Sequence, residues 1–287
     1  VRLGITAFLT DLAMAPSELA REAEDRGFHS LYLPEHTHLP VRADQPPALV
    51  EGVAIDDYRR SLDPMVALAA AASVTEKILL GTGVLLVAQH DPIVLAKQLA
   101  TLDHLSDGRV VLGIGFGWNR EEAADHGVAF ESRRAVAREH MLCMQSLWSE
   151  DQGEFHGEFV SLDPCWSWPK PVQQPGITTL VGGGPNRSVF DAVAEYADGW
   201  MPIGGSGLVD ALPRLRQAVE EHGRDPEEVR VVPFGTVPSE EKLTHYQDLG
   251  IEEVVLRVPS GDAGAMLQVL DAHAGFLERF GDDDGNG

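Results

Sequence analysis

The chain has 287 residues, 44 % of them apolar, and a formal net charge of −23 at pH 7. That length suits two ordinary domains or one α/β barrel of about 250 residues. Phosphate backbones and anionic membrane surfaces are held by Lys and Arg, so this charge argues against nucleic acid and membranes as partners. No stretch approaches the roughly 18 consecutive apolar residues of a membrane span. The opening VRLGITAF reads as a strand rather than a signal peptide. Cys143 and Cys165 supply no disulfide framework. A cytoplasmic location is the expectation.

Strand and helix patterns alternate from end to end, as parallel β/α units do. A strand at 3–8 precedes a helix at 16–26 that Gly27 closes. A second strand, 29–33, opens into an irregular loop, 34–63, rich in Pro and His and long enough to suggest a functional excursion. A helix at 64–75 leads to a third strand, 78–85, with Gly81 and Gly83 near its end. The next helix, 92–105, starts with Pro and carries Ile93, Leu95, Ala96, Leu99 and Leu102 on a predicted apolar face. The fourth strand, 110–114, is a continuous apolar run, as in a parallel strand buried on both faces.

It opens into GIGFGWN, and a helix follows at 132–148 with Cys143 on its apolar side. Phe155, Phe159 and Leu162 alternate in a predicted hairpin at 153–162, ahead of a Pro- and Trp-dense stretch at 164–175. Strands at 178–181, 199–203, 229–234 and 253–258 then alternate with helices ending near 196, 222, 249 and 280. Eight strands and eight helices, without linker or low-complexity tract, predict the α/β class and one (β/α)8 TIM barrel. The expected organisation is a single domain over 1–287, an insertion at about 150–176 between helix 4 and strand 5, and an acidic tail at 281–287.

Barrels of this kind keep their active sites at the C-terminal ends of the strands. Glu35-His36-Thr37-His38 follows strand 2. His-x-His beside a carboxylate is half of a metal site, the metal-dependent hydrolase reading. The ends of strands 5 to 8 (VGGGP, MPIGG, VPFGT, RVPSG) add no His or Cys, so no metal is expected. Gly113-Ile-Gly-Phe-Gly117 misses the dinucleotide fingerprint, whose third glycine would fall at Trp118. Gly182-Gly-Gly-Pro-Asn-Arg187 opens a helix, where free backbone N–H groups bind phosphate and Arg187 adds a forked cation.

Six stretches, ILLGTGVLL, HDPIVLAKQLATLDHLSDGRVVLGIGFGWNREE, FHGEFVSL, PKPVQQP, VGGGPNRS and ADGWMP, stand in one order. Together they resemble the luciferase-like flavin and deazaflavin oxidoreductase superfamily from about Leu3 to Met201. LGIGFGWNREE, with FHGEF and PKP downstream, is most similar to the actinobacterial branch that uses coenzyme F420. The resemblance implies an F420-dependent oxidoreductase moving a hydride between the deazaflavin and a small organic substrate. The alternative it implies is an FMN-dependent monooxygenase using reduced flavin and O₂; a flavin-binding barrel without turnover is a further one.

The resemblance also implies roles by position. A non-proline cis peptide at Gly83-Val84 would form a bulge behind the cofactor ring, with Gly115, Phe116, Gly117 and Asn119 beneath it. Gly183, Gly184, Pro185, Asn186 and Arg187 would hold the phosphate. Glu35 and His36 would sit beside the ring, His36 as acid or base, since an imidazole titrates near working pH. In glucose-6-phosphate dehydrogenase members a Glu follows the last glycine of the strand-4 loop; here Trp118 stands there. That departure counts against sugar phosphate oxidation by that scheme and points to a flat or apolar substrate wall, with His38 beside it. A homodimer is expected, since the family commonly pairs through barrel helices, the Ala-rich helix at 64–73 being the candidate contact. Lys97 and Asp103 read as structural, and Trp166 and Trp168 as a barrel cap.

Overall fold

The computed structural model describes residues 1–41 and 53–281. Its helix starts are set by short polar side chains and proline. Asp63 accepts the Val66 N–H ahead of Pro64, and Asp91 accepts those of Ile93 and Val94 ahead of Pro92. The elements are β1 (Arg2–Thr6), α1 (Pro16–Asp25), β2 (Ser30–Leu33), α2 (Ile55–Arg59), α3 (Pro64–Ala72), β3 (Leu79–Thr82) and α4 (Pro92–Leu105). There follow β4 (Val110–Ile114), α5 (Arg120–Asp125), α6 (Arg133–Ser149), β5 (Gly153–His156), β6 (Ser161–Cys165), β7 (Thr179–Gly182) and α7 (Arg187–Tyr196). The chain ends through β8 (Gly199–Met201), α8 (Leu208–Glu221), β9 (Arg230–Val231), α9 (Glu240–Asp248), β10 (Glu253–Arg257) and α10 (Ala263–Phe280).

Eight strands pair in the order β10-β1-β2-β3-β4-β7-β8-β9, all in parallel. The remaining gap is bridged past β9, where Thr236 N–H donates to Val255 O at 2.9 Å and Arg257 N–H to Thr236 O at 3.0 Å. The fold is thus a (β/α)8 TIM barrel, with the β5–β6 hairpin inserted between α6 and β7. Tyr32, Val111, Leu180, Met201, Val232 and Val255 fill its interior as one cluster. Alternate strand residues such as Leu31 and Leu112 join the larger layer beneath the helices, as the period of two requires. No helix among the described residues is long and apolar enough to cross a membrane.

The structure differs from the sequence reading at several points. The third strand stops at Thr82, just before the cis Gly83–Val84 peptide. It rejoins β4 beyond the bulge, where Leu85 N–H donates to Gly113 O at 2.8 Å. The seventh strand shrinks to Arg230–Val231 because two prolines lack the N–H groups its ladders need, Pro202 on the β8 side and Pro233 on the β10 side. The regions read as loops contain α2 and α5. Trp166 and Trp168 do not cap the barrel: they are 73 % and 58 % exposed on the insertion. The alanines of α3 bury Ala67, Ala71 and Ala72 in the region where the helix packs on α1 and α4, so they need no second copy to explain them.

Polar ties fix the helical layer to the insertion and to the sheet. Lys97 Nζ donates to Trp168 O, and Asp103 accepts from Gln173 N and Nε2 at 3.0 and 2.7 Å, so both are structural. Arg109, 9 % exposed, donates to Ser106 O, Ile78 O, Thr75 O and Thr75 Oγ1, joining the start of β4 to the α3–β3 turn. Replacing Arg109 by Met leaves these buried acceptors unpaired. Chemical denaturation is expected to show a loss of about 2–4 kcal/mol. Arg216→Met, at an exposed pair with Glu227, is expected to change stability by under about 0.5 kcal/mol.

Candidate active site

The C-terminal rim of the barrel surrounds a cleft of about 390 Å³. Its floor is the Gly83–Val84 bulge, and the glycines around it make room for the protein's own side chains. A Cβ on Gly115 would lie 2.3 Å from Val84 Cγ2, one on Gly182 2.7 Å from Val84 Cγ1, and one on Gly83 2.4 Å from the Phe234 ring. Val84 is therefore wedged between the ends of β4 and β7. The glycine-rich strand ends serve this wedge, rather than leaving bare backbone for a ligand throughout.

The wall after β2 is built from two carboxylate–imidazole pairs. Glu35 lines the cleft, but its carboxylate is committed elsewhere: it accepts Leu86 N–H at 2.7 Å and lies 2.8 Å from His90 Nε2. It braces the loop that carries the bulge. His36, next in sequence, points the other way, with Nδ1 3.0 and 3.1 Å from the two oxygens of Glu122 on α5. Its ring packs against Tyr58 and Trp118, at centroid distances of 5.2 and 5.7 Å. Phe8 packs against Tyr58 with tilted rings, centroids 4.8 Å apart. Phe8, His36, Tyr58 and Trp118 line the cleft; Glu122 and His90 do not.

Another side of the cleft is cationic. Arg133 and Arg134, at the start of α6, line it beside the 115–118 loop. Arg134 lies over the Phe116 ring at 4.2 Å, and its buried Nη1 has no partner among the described residues. Burial lowers the pKa of both guanidiniums, helped at Arg133 by the charges of Arg134 and Arg120. A cation desolvated in this way gains most from an anion brought to it.

The structure gathers some of the residues singled out in the sequence and disperses others. Glu35, His36, Gly83, Val84, Gly115, Phe116, Gly117, Trp118 and Gly183 line the cleft. Asn119 lies behind it, with Oδ1 capping α5 at Glu121 N and Glu122 N. His38 turns out to Asp125, 2.9 Å away, so the two histidines of the motif face different carboxylates. Gly184, Pro185, Asn186 and Arg187 are exposed and do not line the cleft. Asn186 caps α7 at Val189 N, and Arg187 is paired with Asp191 and Glu221, both at 2.7 Å. No group of three or more His, Cys, Asp or Glu fit to hold a metal ion occurs among the described residues.

Sequence reasoning missed Tyr58, Glu122, Arg133 and Arg134. Two signals were available. Asn119 followed three residues later by Glu122 is the spacing of a helix start. Adjacent arginines are also conspicuous in a chain of net charge −23.

The sequence profile of the luciferase-like monooxygenase family matches residues 15–277. The chain belongs to that family. The uncharacterized protein Rv0953c of Mycobacterium tuberculosis is 42 % identical over 277 residues, covering 94 % of this chain and 97 % of the relative. An F420-dependent glucose-6-phosphate dehydrogenase of Kineococcus radiotolerans is 32 % identical over 221 residues, 73 % of this chain and 60 % of that enzyme. Among solved structures, the monooxygenase RslO1 from Streptomyces bottropensis superposes with a TM-score of 0.76 at 20 % identity, covering 97 % of this chain and 99 % of that one. An F420-dependent secondary alcohol dehydrogenase, solved with an F420-acetone adduct, gives 0.73 at 18 % identity over 94 % and 97 %. At such identities the structural likeness establishes the luciferase-like barrel and nothing finer.

The Glu35–His90 pair gives this luciferase-like chain a testable pH signature. Burial opposes protonation of His90, but the hydrogen bond and charge of Glu35, with Asp63 adding to them, hold its pKa above the ordinary 6.5. The folded state then binds the proton more tightly than the unfolded chain. The stabilisation is full below pH 6.5 and is lost as pH rises through the raised value. His90→Gln is therefore expected to lower the melting temperature more at about pH 5.5 than at about pH 8.5. An equal loss at both pH values would mean the pair carries no charge.

Proposed function

We propose that the protein is a coenzyme F420-dependent oxidoreductase that moves a hydride between the deazaflavin and a small, largely apolar organic substrate. The observation that carries this reading is a single cleft uniting a backbone bulge, a half-buried cationic wall and an imidazole held by a carboxylate. When bound, the deazaflavin supplies the hydride chemistry. The protein supplies orientation and a proton path. The Gly83–Val84 bulge fits the back of a planar ring. Arg133 and Arg134 fit an anionic group on the tail, with Arg134 Nη1 as a donor in need of an acceptor. His36 would hold or release a proton at the substrate oxygen.

Support for F420 comes from the Kineococcus relative, which is named for that cofactor. Trp118, Tyr58 and Phe8 favour an apolar or flat substrate over a sugar phosphate. The homodimer implied by the sequence resemblance and a cytoplasmic location belong to the same proposal, as do the roles of the cleft-lining residues Glu35, His36, Gly83, Val84, Gly115, Phe116, Gly117, Trp118 and Gly183.

A second reading is favoured by the same cationic wall, which suits the phosphate of FMN equally. It is an FMN-dependent monooxygenase working with reduced flavin and O₂. Titration with F420 and FMN, followed by tryptophan fluorescence, separates the two. F420 is expected to bind more tightly, and tighter FMN binding would hand the function to the monooxygenase reading. Arg134→Ala is expected to weaken F420 binding about 10- to 100-fold, the scale of one charge-assisted hydrogen bond, and to reduce its sensitivity to salt. His36→Ala is expected to leave binding within a few-fold but to slow hydride transfer by about 10²–10⁴. Normal turnover by His36→Ala would reduce His36 to a wall residue.

A further inference from the structure

Glu122 is a costly residue unless it acts on its neighbour. It is fully buried, 0 % exposed, and among the described residues its carboxylate has one hydrogen-bond partner, His36 Nδ1. An ionised carboxylate in such a place loses its hydration and needs compensation. A purely structural tie would be served as well by a neutral side chain. The backbone that carries this carboxylate is also fixed. Asn119 Oδ1 accepts the backbone N–H groups of Glu121 and Glu122 at 3.1 and 3.0 Å, which sets the first turn of α5.

We propose that Glu122 is a positioning residue that holds His36 in the Nδ1–H tautomer and so presents Nε2 to the cleft as the proton-accepting nitrogen. The inference rests on the proposed role of His36 and names the residue through which that role is set. A carboxylate only accepts, so the nitrogen facing it must carry the proton. In the neutral ring the other nitrogen then carries the lone pair. Carboxylates that orient a working imidazole this way act through tautomer and ring orientation.

The surroundings leave the ring little freedom. Tyr58 and Trp118 flank it at 5.2 and 5.7 Å, and Ser61 Oγ donates to the His36 carbonyl at 3.1 Å. A ring flip would turn Cδ2 toward Glu122 in place of Nδ1 and leave the buried carboxylate without its partner, so the carboxylate fixes the ring orientation as well as the tautomer.

The test uses the whole chain and begins without cofactor. Protein labelled with ¹⁵N-histidine is examined by two-bond ¹H–¹⁵N correlation, with the His36 signals assigned by their loss in His36→Ala. The expected result near neutral pH is an Nδ1–H tautomer for His36, shifting to a mixture or to Nε2–H in Glu122→Gln. With F420 and a turned-over substrate, Glu122→Gln is expected to slow hydride transfer about 10- to 100-fold while the Kd for F420 stays within about threefold. In the His36→Ala background the same substitution is expected to cost nothing further, because the two residues act as one unit.

An Nε2–H tautomer in the wild type overturns the proposal. So does a rate loss in Glu122→Gln that adds in full to that of His36→Ala. Should Glu122→Gln not fold, the wild-type tautomer and Glu122→Asp, which keeps the acceptor, decide the matter by the same readouts. Failure of F420 to bind would remove the proposed function and leave the tautomer result standing by itself.

Discussion

The site depends on closure of a parallel hydrogen-bond ladder. A closed parallel sheet directs all strand C-termini to one rim, and each backbone bond around the ring fixes the height at which a loop leaves. The bonds from Thr236 to Val255 and from Arg257 to Thr236 complete that ring. With it closed, the ends of β4 and β7 flank Val84. That side chain is packed against Gly115 and Gly182 from two different strands. A larger residue at either position displaces the bulge and, with it, the floor of the cleft.

The acidic composition has a structural explanation separate from any ligand. Several carboxylates hold loops by their backbone donors. Glu24 accepts Glu76, Lys77 and Ile78 N–H at the entry to β3, and Glu139 accepts Glu158, Phe159 and Val160 N–H in the hairpin turn. Against the opposing effect of burial, these donors hold both carboxyls below their ordinary pKa. Glu253 closes the base of the barrel against Ser30, Tyr32 and Arg230. Glu35 does the same work at the rim for Leu86. The cleft itself keeps Arg133 and Arg134 on its wall, so a negatively charged protein offers a locally cationic pocket. Local donors outweigh the mean field at contact distance.

The adjacent residues Glu35 and His36 divide two tasks by pointing apart. One carboxylate stabilises the loop that forms the floor, and one imidazole reaches the space above it. This division gives a luciferase-like barrel a rigid bed on which a planar ring can rest, with a titratable group beside it. The aromatic wall of Phe8, Tyr58 and Trp118 shapes what else can enter.

The amino-acid sequence by itself determined the alternation of strands and helices, through the periods of its apolar residues and through caps such as Asp63-Pro64 and Asp91-Pro92. Those signals are local, and they carried the barrel, the insertion and the rim positions of His36, Gly83 and Trp118. The tertiary structure decided which partners these residues meet. His36 and Glu122 are 86 positions apart, and only the folding of α5 over the β2 loop joins them. Arg187 looked free in GGGPNR, yet Glu221 arrives from α8 to pair with it, alongside Asp191 one helical turn away. Arg134 gave no motif, and its place on the cleft wall follows from where α6 begins. The glycines could be read as room for a ligand until the neighbouring strands showed that Val84 takes much of that room. Side-chain contacts between distant segments leave no periodic trace in a sequence, and the chemistry of this cleft is made of them.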